Sequence, residues 1–197
     1  GINVYPGGNG TREADFPSDI TIQNNRVVFP SIMRLDPVAV CQAGPDAEDP
    51  ATGAIRLGNV TNSRVLNNVV EFSFGEGYDI GKRPYGTATA PIIVDGNTAH
   101  DCRHVHMYVL HGRHVHVRNN IVYSTTNHPI FDDFPGEAHG GNGYVIRDER
   151  KNLYPETEHI SYYNNLAVNT SKLIYIAGNG SPGTYVGFNT FVGGPHT

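Results

Sequence analysis

No stretch of the chain holds an i, i+3, i+4 apolar pattern for three turns, which excludes a fold built on long amphipathic helices. No apolar run approaches the roughly 20 residues a bilayer-spanning helix needs, so membrane insertion is not expected. Basic residues are few, 14 Lys and Arg against 19 Asp and Glu, and they are scattered. With no basic stripe, nucleic acid is not expected as a partner. Cysteine is scarce: Cys41 and Cys102 either form one disulfide, as in a secreted protein, or stay as two free thiols. The opening Gly1-Ile2-Asn3-Val4 has neither an initiator Met nor a signal-peptide pattern, giving the expectation of a processed chain or part of a longer one.

What the chain does have is Gly (23), Pro (13), many Asn, and Val and Ile in short alternating runs. Such runs favour strands separated by turns. The runs repeat. An apolar-x-apolar-x-x-Asn unit appears as Ile20-Thr21-Ile22-Gln23-Asn24-Asn25 and returns in the segments ending at Asn68, Asn97, Asn120, Asn165 and Asn189. The gaps between these Asn positions are 43, 29, 23, 45 and 24 residues, as expected for a coil of about 22–25 residues with insertions in some coils. A second, glycine-led strand follows in most coils: Ala54-Ile55-Arg56-Leu57, Gly77-Tyr78-Asp79-Ile80, His106-Met107-Tyr108-Val109, Gly143-Tyr144-Val145-Ile146 and Leu173-Ile174-Tyr175-Ile176.

Parallel stacking places equivalent residues about 4.8 Å apart. Asn25, Asn68, Asn97, Asn120, Asn165 and Asn189 can then form a ladder in which each amide bonds the next. Alternation directs Ile20, Ile22, Val65, Val94, Val115 and Val117 inward, and Thr21, Arg64, His116 and Ser161 outward. The expected fold is all-β: a right-handed parallel β-helix of about six coils, one domain over 1–197, open at both ends. Its long insertions span about 29–53 and 124–142, with shorter ones near 81–91 and 148–158.

The strings Asn24-Asn25-Arg26-Val27-Val28, Asn119-Asn120-Ile121-Val122 and Gly75-Glu76-Gly77-Tyr78-Asp79-Ile80 resemble repeats of the pectate-lyase-like right-handed β-helix superfamily, over nearly the whole chain. The resemblance speaks to fold. That superfamily contains lyases, hydrolases, epimerases, phage tailspikes and non-catalytic surface proteins, so activity has to be read from residues.

Both long insertions leave the coil after the Asn strand and before the glycine-led strand, where they can wall a groove or cover a sheet. The second holds His128, Asp132, Asp133, Glu137 and His139. Carboxylates and imidazoles this close suit acid–base chemistry, with Asp132, Asp133 and His139 as the catalytic candidates. They also suit a divalent cation, calcium being the expected cofactor and His128, Asp132 and Glu137 its ligands. Asp132-Asp133 with His139-Gly140 is similar to the paired motifs of polygalacturonase-like members. The family spreads those motifs over successive coils, however, and its Asn-Thr-Asp and Arg-Ile-Lys elements are missing here.

A second cluster is histidine-rich: His100, His104, His106, His111, His114 and His116. His104 and His106 share one strand face and His114 and His116 another, on different sheets, where outward imidazoles decorate a wall. The third candidate is the wall itself. Its outward columns are Gln23, Leu66, Asp95, Arg118, Tyr163, Gly187 and Thr21, Arg64, Ile93, His116, Ser161, Tyr185, with Arg56, Asp79, Tyr108, Val145, Tyr175 on the glycine-led sheet. Asp95 beside Arg118, and Arg56 beside Asp79, read as surface ion pairs. In a polysaccharide track, Asp95, Arg118, Arg64, His116 and Tyr163 would hold the substrate.

The glycine-led opening and the Asn-led ending look like two halves of a coil, which suggests subunits stacked end to end. The expected function is an extracellular module, or one displayed at a cell or virion surface, that recognises polysaccharide or serves as a scaffold. The alternatives are a polysaccharide lyase or glycoside hydrolase, and a segment of a filament or virion fibre.

Overall fold

The computed structural model describes residues 1–4, 12–28, 53–73, 75–125, 141–147, 157–177 and 181–193. Each apolar run forms a strand, most only three residues long. Strands so short gain stability by lying against their counterparts in the next repeat. Numbered in chain order, β1 (Ile2–Val4), β4 (Ile55–Leu57), β8 (Tyr78–Ile80), β12 (Val105–Leu110), β15 (Asn142–Arg147) and β18 (Ile174–Ala177) form sheet A. Sheet B contains β2 (Thr21–Gln23), β6 (Arg64–Leu66), β10 (Ile92–Asp95), β13 (Arg113–Arg118), β16 (Glu158–Tyr163) and β19 (Tyr185–Gly187). Sheet C contains β3 (Arg26–Val28), β7 (Val69–Glu71), β11 (Thr98–His100), β14 (Ile121–Tyr123), β17 (Leu166–Val168) and β20 (Thr190–Val192). The pairings along these sheets are parallel.

The chain visits A, B and C in turn, and one such pass is called a coil below. The protein is all-β, with three parallel sheets of aligned strands, consistent with a parallel β-helix. The described residues include one short 3-10 helix, Glu13–Asp15. The segment near 81–91, expected as a plain insertion, contains a two-residue strand, β9 (Pro84–Tyr85), which pairs with β5 (Val60–Thr61) and with Arg113.

The Asn pair makes the expected corner between two strands, so with the glycine-led strand each coil carries three; counted from sheet A, the first and last coils are both complete. Both β1–β3 and β18–β20 put a strand into every sheet.

That corner explains the Asn-Asn signature. The residue before each ladder position has a left-handed backbone: Asn24 (φ 57°), Asn67 (52°), Gly96 (68°), Asn119 (55°), Asn164 (56°) and Phe188 (54°). Asn and Gly tolerate this conformation best, which is why one or the other stands at five of the six sites. The following Asn forms the ladder. The Oδ1 of Asn68 accepts from the backbone N–H and the Nδ2 of Asn25, at 3.0 Å each. The same two bonds recur from Asn68 to Asn97, Asn97 to Asn120, Asn120 to Asn165 and Asn165 to Asn189. The remaining Nδ2 hydrogen reaches a sheet B carbonyl of the preceding coil, as Asn120 reaches Val94 at 3.0 Å.

Inside, the expected inward residues Ile22, Val65, Val94, Val115 and Val117 are buried in one apolar cluster, with Ile20 partly buried against it. Three tyrosines join them. The hydroxyl of Tyr78 donates to the carbonyls of Asn68 and Thr98, and that of Tyr144 to those of Asn120 and Leu166. Tyr162 packs edge-on against Tyr144 at 5.6 Å. These bonds offset the cost of burying phenols. The two ends differ: the inward Ile22 of the first coil is 5% exposed, whereas Val186 and Phe191 of the last are 39% and 37% exposed. The last coil is thus the more open of the two.

Candidate functional site

The three outer faces differ in what they offer a ligand. On sheet A the outward residues Asp79, Tyr108 and Val145 are buried, at 7%, 7% and 3% exposure. The Arg56 Nε lies 2.9 Å from Asp79 Oδ2 with both side chains largely enclosed, which corrects the expectation of a surface pair. His106 was expected outward and is fully buried instead. It aligns with Gly77 and Gly143, where no side chain competes for space, and its ring lies among Cys102, Ser124 and the Asn142 carbonyl. Burial pushes the His106 imidazole down to about 4, so it is neutral at pH 7. Cys102 is a buried free thiol.

Sheet C carries a polar knot that the sequence reading missed. Glu71, His100 and Tyr123 stand side by side at the last position of β7, β11 and β14. Arg26 grips Glu71 with two bonds of 2.9 Å, holding its carboxyl below the ordinary range. The His100 Nδ1 donates to Asp101 at 2.8 Å, and its Nε2 faces Glu71 at 3.8 Å. The ring stacks on Tyr123 at 4.7 Å. Burial alone would raise the Asp101 carboxyl, but bonds from His100 and from the N–H and hydroxyl of Thr125 outweigh it and hold it low. The signal was the offset: these residues fall three after Asn68, Asn97 and Asn120. The knot is enclosed, with side chains of His100, Glu71 and Asp101 only 13%, 12% and 3% exposed.

Sheet B is the accessible face, and its columns match the expected register. Ile93 pairs with Arg64 and His116, His116 with Ser161, and Asp95 with Arg118, which pairs with Tyr163. Three consecutive coils thus contribute to one chain of bonds. The Arg118 Nε donates to Asp95 Oδ2 at 2.7 Å and its Nη1 to the Tyr163 hydroxyl at 3.0 Å, while Asn119 Nδ2 donates to Asp95 Oδ1 at 2.8 Å. The bonds from Tyr163 and Asp95 raise the guanidinium pKa further, so the cation is permanent. His116 meets Tyr163 edge-on at 6.4 Å. Burial, and then the Arg118 charge, lower its pKa. Of the expected substrate-binding set, Asp95, Arg118, His116 and Tyr163 are brought together. Arg64 lies on the same face in the His116 column, two coils away and exposed.

Two features extend this face beyond the expected set. Arg113 pairs with Glu158 and Val115 with Ile160, which superposes His114 on His159. Their rings stack at 4.6 Å with a 3° tilt. At the last coil Tyr185 lies across Gly187, where an added Cβ would sit 2.2 Å from the tyrosine oxygen. Tyr185 is 48% exposed. His159 and Tyr185 were legible from the same strand alignment that gave the columns.

Asp132, Asp133, His139, His128 and Glu137 lie outside the described residues, as does Cys41. Among the described residues no group of three or more His, Cys, Asp or Glu side chains is arranged to hold a metal ion. No helix among them is long and apolar enough to cross a membrane. Compared with known proteins, the chain matches no family model, no curated protein and no solved structure.

Proposed function

We propose that the chain is a right-handed parallel β-helix module of the pectate-lyase-like kind, working outside the cell or at a cell or virion surface, that binds polysaccharide along the outer face of sheet B. The observation that carries this reading is the in-register row of polar and aromatic side chains on that face: Asp95, Arg118 and Tyr163 in one column, His116 and Tyr185 in the next. Coils repeat about every 4.8 Å. An extended polysaccharide laid along the axis advances by a similar step per sugar, so successive sugars meet successive coils. Planar rings such as Tyr185 offer apolar faces to the C–H faces of sugars. The Asp95–Arg118–Tyr163 chain offers fixed donors and acceptors to hydroxyls.

The test is calorimetric titration with a panel of acidic and neutral oligosaccharides. Tyr185→Ala and Arg118→Ala are expected to weaken binding by about tenfold or more, on the order of 1.4 kcal/mol, with an unchanged melting temperature. A panel with no binder, or variants that bind as the parent does, would sink the reading. Cleavage of the bound glycan in the same samples would instead favour the lyase or hydrolase alternative. The assembly alternative draws on the uncovered inward residues of the last coil, and ordered end-to-end particles in electron micrographs would favour it.

A further inference from the structure

The sheet B face holds three imidazoles, His114, His116 and His159, that make no hydrogen bond to other described residues. Two cations nearby are engaged: Arg118 is bound to Asp95 and Tyr163, and Arg113 is paired with Glu13 and lies over the Tyr85 ring at 4.4 Å. Arg64 stands exposed two coils from His116, so around the stack the groups open to an anion are the ring nitrogens. The stack is not a metal chelate, because lone pairs in two parallel ring planes run side by side and do not converge on one point. Once protonated, the two rings place N–H donors in parallel planes 4.6 Å apart, an arrangement suited to an anion with several oxygens.

We propose that His114, His159 and His116 form a proton-coupled anion site, which takes the carboxylate or sulfate groups of an acidic glycan and holds them more tightly as the imidazoles become charged. The inference rests on the reading that this face carries the glycan, and adds the class of glycan and its regulation. The groups acting on these rings are known. His114 is surrounded by His159, Arg113 and Glu158; burial and then the His159 charge lower its pKa, while Glu158 opposes them. His116 is surrounded by Arg118, His114 and Tyr163. Both rings are therefore mostly neutral at pH 7, and charging both members of the stack brings like charges to 4.6 Å. A bound anion relieves that repulsion. By linkage, an anion that favours the charged rings must bind more tightly as pH falls.

The test compares dextran, dextran sulfate and a polyuronate oligomer on the whole chain, by titration at steps between about pH 7.5 and about pH 5. The two acidic glycans are expected to gain about tenfold in affinity over that interval, and dextran nothing. The protein as a whole also becomes less negative over this range, so the deciding arm is the double variant His114→Gln, His159→Gln, checked for fold by circular dichroism. It should lose most of the gain. A gain unchanged in the double variant would overturn the proposal. A gain for the sulfated chain alone, or for the polyuronate alone, identifies which anion the site takes. A second measurement separates this inference from the glycan reading: inorganic sulfate should raise the titration midpoints of His114 and His116 in proton NMR. If sulfate leaves the midpoints unmoved, the anion site is refuted even where glycans bind. If it raises them while no glycan binds, the anion site stands and the polysaccharide reading fails.

Discussion

Asn120 is the most informative residue to remove from the ladder. It is 1% exposed, and its amide is fully used. Its Oδ1 accepts from the backbone N–H of Asn97 at 2.9 Å and from Asn97 Nδ2 at 3.0 Å; its Nδ2 donates to Val94 and to Asn165 Oδ1. Asn120→Ala orphans two buried donors on Asn97 and strips one donor from the Val94 carbonyl. At about 1–3 kcal/mol for each buried donor left unpaired, the expected cost is about 2–6 kcal/mol, a large share of the roughly 5–15 kcal/mol that holds a domain together. The control is Asn25→Ala in the first coil. The Asn25 side chain donates to Gln23 and to Asn68 Oδ1, but its loss orphans no buried donor, because its own N–H still reaches Asn68. That change should cost less than about 1 kcal/mol. Urea unfolding measures both, followed by far-ultraviolet circular dichroism and by tyrosine emission, since the chain has 11 Tyr and no Trp. Coincident transitions are required before free energies are compared, because stacked repeats can unfold in parts. At a slope of about 2 kcal/mol per molar urea, Asn120→Ala should move the midpoint down by about 1–3 M. Equal costs for Asn120→Ala and Asn25→Ala would refute the reasoning, since the ladder would then add no more in the interior than at its rim.

Gly77→Ala should destabilise by more than about 2 kcal/mol, because its Cβ would stand 2.6 Å from the His106 carbonyl oxygen and 2.9 Å from Cys102 Sγ; the melting temperature reports it. Phe188→Asn should stabilise by about 0.5–1 kcal/mol, read in the same urea series, because Phe188 is 85% exposed and holds a left-handed backbone that Asn tolerates better. His106 makes stability fall with acid. Its pKa is 6.5 unfolded and about 4 folded, so the unfolded chain takes up the proton first. Its penalty is absent above about pH 6.5 and grows as pH falls to about 4, reaching on the order of 3 kcal/mol. Stability measured across that window should fall more steeply in the parent than in His106→Gln, which keeps only the smaller contributions of other groups such as His114 and His116. Glu71 and Asp101, held low by their partners, add their own loss only in more acid solution, as pH falls through their depressed pKa values.

The register of sheet B was readable to the residue, and the reason is physical. One Asn per coil, preceded by a residue that tolerates a left-handed backbone, marks the same corner each time, and alternation then assigns every side chain near it to a face. The strand after each corner was expected, but the last position of β7 and β11 was not followed across coils, and the His100–Asp101–Glu71 knot went unseen. The enclosure of the sheet A face was not legible for a different reason. Alternation tells which side of a strand Asp79 and Tyr108 occupy, but what covers that side is decided by other parts of the chain. His106 shows the same limit at one residue. Its burial depends on glycines in two other coils, Gly77 and Gly143, which are distant in sequence and adjacent only after stacking. The carboxylate and imidazole cluster around Asp132 lies outside the described residues, so sheet B is where the sequence reading and the described site coincide.

The ladder of amides has the same connector along its interior: each Asn presents its oxygen and one Nδ2 hydrogen to the coil before it, and its backbone N–H and other Nδ2 hydrogen to the coil after it. A coil with these two ends can be excised or duplicated without any other coil having to change its bonding partners. Coil number is then a variable that evolution or an engineer can adjust while the fold is kept, and it acts as a ruler. The outer face of sheet B lengthens by one row for each coil added, so under the proposed polysaccharide reading the number of Asn rungs would set how many sugars of a chain the face can hold at once.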